Sequence, residues 1–98
     1  MSMAACEAFW NEKVAQAEKV VRERYPLLRR AEMTPTLWAA DHAADLLATW
    51  RQGLAAVDAH WQCGEFVEAF KAAVLAAVRA WMEMCKRFDA ALRLQEAA

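Results

Sequence analysis

An all-α fold is predicted by three observations. Glycine and proline together number four in 98 residues, where average usage gives about twelve. Isoleucine is absent, and valine plus threonine come to ten, so strand-forming residues are scarce. Alanine, leucine, glutamate, lysine, arginine and methionine dominate instead, and these have the best helix propensities. The apolar fraction is 59%, of which 24 residues are alanine. The remaining larger side chains suffice for one small helical domain spanning 1–98.

The punctuation divides the chain into an antiparallel bundle of three long helices, with oligomerisation expected as an extension of the same fold. The first helix is placed at 3–25, with Met3, Cys6, Phe9, Trp10, Val14, Ala17, Val20 and Val21 on one stripe. Lys13 and Arg24 fall inside that apolar arc and are its two anomalies. Pro26 lacks a backbone donor and pushes Tyr25 out of the α region, so the helix ends or kinks there, with a short turn over 27–32. The second helix is placed at 35–62. Thr34 is its cap, Pro35 fills the first helical position, and Met33 and Trp38 occupy the two positions of a hydrophobic staple.

Gly64 is expected to terminate the second helix in the left-handed conformation, and the third helix is placed at 65–96. The second and third helices would then be rods of ~42 and ~48 Å. A rival parse carries one helix straight through Gly64, since glycine costs only ~1 kcal/mol in a helix interior. Such a rod would be stable only by pairing with another chain. The third helix shows a regular core stripe: Phe66, Phe70, Val74, Ala77, Trp81, Cys85, Phe88 and Leu92.

The second helix carries only Asp41, Asp45, Arg51 and Asp58 as charges, together with Trp38, Trp50 and Trp61, and is expected to be the most buried. Its large residues face the third helix, with Trp61 near Val67, Trp50 near Val78 and Ala43 near Cys85. Its back holds Ala44, Ala48, Ala55 and Ala59, small side chains that permit another helix to approach closely. If the first helix covers only part of that back, the strip is left for a second copy of the chain or for a different protein. Trp38 lies about 120° around the helix from Trp50, which makes it the first candidate for a partner-facing ring.

Several chemistries are disfavoured by composition. A net charge of −1 gives no global field toward nucleic acid or anionic membranes. Arg22, Arg24, Arg29 and Arg30 flank Pro26, but cations at a helix end are expected simply to complement its dipole. No stretch approaches the roughly 20 apolar residues of a membrane span, and no basic region precedes an apolar run at the N-terminus, so a cytoplasmic protein is expected. For a viral chain that compartment would be the host cytoplasm. Cys6, Cys63 and Cys85 lack a CxxC spacing and read as reduced core thiols.

Catalytic signatures are equally sparse. The single serine, Ser2, sits at the terminus, and no glycine-rich phosphate loop is present. His60 and Cys63 resemble half of a metal site, but His42 is ~27 Å from His60 along one helix, so the two histidines cannot chelate together. Met82, Met84 and Cys85 read as packing. No catalytic residue, cofactor or metal is assigned.

The expected function is therefore a non-catalytic protein-interaction module, a small adaptor or inhibitor of a larger complex that self-associates as a homodimer. Its interface residues would be Trp38, Ala44, Ala48, Ala55 and Ala59, with Lys13 and Arg24 offered to acidic groups across a subunit boundary. In size and character the chain resembles the short helical inhibitors that phages and mobile elements direct against host complexes, a likeness carried by no motif. The alternative is a bundle binding a small apolar or anionic ligand between helices. A small all-helical enzyme ranks third.

Overall fold

The computed structural model describes residues 3–97, and its described residues are helical apart from short connections. The first helix, α1, is Met3–Arg24. It closes with the Tyr25 N–H on the Val21 carbonyl at 2.8 Å. Tyr25 then leaves the helix at φ −126°, ψ 61°, as the residue before a proline is driven to do. A single 3₁₀ segment, Pro26–Arg30, follows. Thr34 takes an extended conformation and its Oγ1 accepts from the Leu37 N–H at 3.2 Å, with Pro35 opening α2, Pro35–His42.

The expected single helix over 35–62 is in fact two. It breaks at Ala43 (φ −149°, ψ 53°), and α3 runs Ala44–Cys63. Neither glycine nor proline marks the break. The backbone remains largely paired through it: the Ala43 N–H reaches the Ala39 carbonyl at 2.7 Å, and the Ala43 carbonyl accepts from Leu46 and Leu47, both at 3.1 Å. The cause is tertiary. Trp38 stacks on Phe88 of the last helix at 5.4 Å, while fully buried Ala39 shares a cluster with Leu47 and Met84. A bend at Ala43 lets the segments on both sides of it meet the same neighbour.

Gly64 (φ 68°, ψ 21°) ends α3 in the left-handed region, its N–H bonded to the Trp61 carbonyl at 2.9 Å, so the continuous-helix parse fails. Residues 65–67 are non-helical, and α4 is Glu68–Ala97, starting three residues later than the sequence suggests. Cys6 of α1 reaches this connection, its Sγ donating to the Glu65 carbonyl at 3.5 Å.

The pairing between α3 and α4 runs in opposed order. Trp61 packs against Phe70, Gly53 abuts Ala77, and Leu47 clusters with Met84. One core cluster, Cys6, Val57, Phe70 and Val74, lies near the α3–α4 connection, and the second, Ala39, Leu47 and Met84, lies toward the other end. The expectation that the second helix would be the most buried is corrected here. The buried residues concentrate on α4 (Phe70, Val74, Ala77, Ala80, Met84, Cys85, Phe88 and Asp89), whereas α3 buries Leu47, Gly53 and Val57. The physical reason is that α1, α2, α3 and the 3₁₀ segment all pack on α4, while α1 makes little contact with α3. The outcome is an elongated body of 53 × 25 × 19 Å.

Candidate functional site

Two surfaces of α3 follow from this asymmetry. The first is its outer face, where Ala44, Ala48, Ala55 and Ala59 are all exposed, opposite the side that carries Leu47, Gly53 and Val57. These four alanines are placed symmetrically about the junction of Arg51 and Gln52: Ala48 mirrors Ala55 and Ala44 mirrors Ala59. A twofold axis through that junction would set alanine opposite alanine along two antiparallel copies of α3. Self-complementarity of this kind is what an isologous contact requires. Asp45 and Asp58 are related by the same symmetry and lie on opposite flanks of the strip, so in such a pair neither meets its counterpart across the seam.

The second surface is the groove left where α1 and α3 diverge above α4. It has a volume of about 300 Å³. Trp10, Val14, Ala17 and Glu18 form its α1 wall, Trp50 and Leu54 its α3 wall, and Ala77, Val78 and Trp81 its floor. Its three indoles are half-buried. Glu18 is exposed and is the one charged side chain among the lining residues.

The remaining interface candidates are placed apart from both surfaces. Trp38 is half-buried, with its ring stacked on His42 at 5.0 Å and on Phe88 at 5.4 Å. Met33, the residue expected to staple with it, is 41% exposed and lines the same cavity of about 460 Å³ beside α4. A carbonyl only accepts, so the His42 Nδ1 donates to the Trp38 carbonyl at 3.0 Å. Lys13 is half-buried, and its Nζ lies 5.4 Å from the centroid of the Phe9 ring. Arg24 is exposed at the end of α1.

Cys6 and Cys85 are buried and Cys63 is exposed. Burial pushes the Cys85 thiol up from 9.0 to about 12, so it stays protonated at neutral pH. Among the described residues, no group of three or more His, Cys, Asp or Glu side chains is placed to hold a metal. Asp89 is the one buried charged side chain among the described residues. Its Oδ2 accepts from the Arg93 Nε at 2.7 Å, which raises the Arg93 pKa, while no described group donates to its Oδ1.

Three of these features escape sequence reasoning. Gly53 looks like an ordinary helix-interior glycine until α4 is placed against it. Asp89 reads as the surface half of an i,i+4 pair. Glu18 gains its place only because α1 and α3 diverge. Comparison of the chain with family models, curated proteins and solved structures returns no match.

Proposed function

We propose that this chain is a non-catalytic protein-interaction module, an antiparallel bundle of α1, α3 and α4 that self-associates through the outer face of α3. The observation that carries this reading is the exposed alanine strip with its symmetry about Arg51 and Gln52. Alanine seams let helix axes approach to about 8 Å, the short end of the usual range. In the cytoplasm such a dimer would serve as an adaptor or inhibitor, covering a surface of a larger complex. Trp38, Lys13 and Arg24 lie off the strip and would contact that foreign partner. A second reading, ligand binding between helices, is favoured by the groove lined by Trp10, Trp50 and Trp81.

Light scattering behind a sizing column tests the homotypic contact directly. The wild-type chain is expected at twice its 11.1 kDa mass. Ala48→Glu and Ala55→Glu should each return it to the single-chain mass with helicity unchanged, because both sites are exposed in the isolated chain. A wild-type chain that stays at 11.1 kDa across millimolar concentrations, or variants that remain dimeric, overturns the assignment.

A further inference from the structure

We infer that the groove between α1 and α3 is a binding site for a small organic cation carrying alkylated nitrogen, of the quaternary-ammonium class. The inference begins with the chemistry of the walls. An indole presents the most electron-rich face of the natural side chains to a cation, and quaternary ammonium groups are recognised by clusters of such rings. Trp10, Trp50 and Trp81 converge on one groove of about 300 Å³. That is the lower end of the range for ligand pockets, about 300–1,000 Å³, so the fitting ligand is small.

Charge complementarity fixes the sign. Glu18, the one charged lining residue, has no ion-pair partner among the described residues, and no basic side chain lines the groove. An anionic ligand between the helices is therefore not what this groove fits. Lys13 is engaged elsewhere, over Phe9, and Arg24 lies beyond the groove. The chain's own cations are also placed away from the indoles. Lys13 stands over Phe9 at 5.4 Å and Lys71 over Phe66 at 5.0 Å, whereas no described cation stands over Trp10, Trp50 or Trp81. Trp10 makes an edge contact with Trp61 at 6.5 Å, but none of the three indoles carries a cation, and the carboxylate beside them has no ion-pair partner among the described residues. A quaternary ammonium suits this site better than a primary amine, because it is weakly hydrated and donates no hydrogen bonds that the indole walls would leave unmet.

The matched pair choline and 3,3-dimethylbutan-1-ol tests this, since the two have the same shape and differ in charge. The readout is the indole N–H signals in ¹H–¹⁵N spectra, assigned with single Trp→Phe variants. Choline is expected to shift the Trp10, Trp50 and Trp81 signals saturably and at least ~5-fold more tightly than the alcohol. The Trp38 signal, held in its stack with Phe88 and His42, should stay in place. Glu18→Gln, at an exposed position that does not threaten folding, should weaken choline about 2-fold and leave the alcohol unchanged. Ala48→Glu should retain choline binding, so failure of the dimer and failure of this site are separable. Equal binding of both probes, absence of saturable shifts with choline, or shifts confined to an added lysine-rich helical peptide would each overturn the inference.

Discussion

Replacing Gly53 by alanine should destabilise the chain, against the usual sign for a glycine inside a helix. On propensity alone the substitution gains ~1 kcal/mol. A methyl group built at Gly53, however, would lie 2.9 Å from both the Cα and the Cβ of Ala77 and 3.0 Å from its nitrogen. Carbon atoms sit comfortably at about 3.5–4.0 Å, so the two helices must separate by roughly 0.5–1 Å at their crossing. A gap of that size forfeits about a quarter to a half of each dispersion contact it opens. The crossing lies between the two core clusters, so Val57 against Phe70 and Leu47 against Met84 would both loosen. Overpacking of this kind costs about 1–3 kcal/mol, and with backbone atoms of Ala77 among the obstacles the cost lies above the bottom of that range, so it outweighs the propensity gain and leaves a net loss of up to about 2 kcal/mol. Urea titration followed by circular dichroism should show it, with the thermal midpoint falling by up to about 15 °C. Ala77→Gly in the same chain should restore only part of the loss, because the Ala77 Cα and nitrogen are themselves in the way. Ala56→Gly, on the exposed side of α3, should lose ~1 kcal/mol through propensity alone. A Gly53→Ala chain more stable than wild type would refute the argument, since it would mean that α3 and α4 are not in backbone contact at this point.

Three further outcomes follow from a helix terminus and the thiols. Thr34→Ala removes the acceptor for the Leu37 N–H and should cost about 1 kcal/mol, read as increased amide exchange over 36–38 relative to α4. In native protein at pH 8 a disulfide reagent should modify Cys63 alone, and in denaturant all three cysteines, because Cys6 and Cys85 are buried. The Cys85 thiol pKa is raised in the folded state, so its contribution to stability is complete below about 9 and is lost as pH rises toward about 12. Cys85→Ala should remove that part of the alkaline dependence, which pH-resolved urea midpoints would reveal.

Legibility in the sequence varied with the range of the interaction concerned. Pro26, the Thr34–Pro35 pair and Gly64 act within a few residues of backbone, and each shapes the chain where its chemistry requires. The alanine strip was equally legible, because its four members share one face of a helix by spacing alone, and all four are exposed. The bend at Ala43 was not legible, since it carries no glycine or proline and answers to Trp38 and Ala39 seating against α4. The groove was only half visible: Trp10, Trp50 and Trp81 stood out as residues, but their convergence depends on α1 leaning on α4 and away from α3.

The sequence by itself determined that the chain is helical, where its two prolines and its left-handed glycine interrupt it, and which face of α3 is small and apolar. Those properties depend on local backbone energetics and on periodicity. Tertiary structure alone decided that α4 is the central helix, that Gly53 is a contact point, and that three indoles share a groove with Glu18. Those properties depend on which helix leans on which, a choice made by packing between residues dozens of positions apart, and no local pattern encodes it.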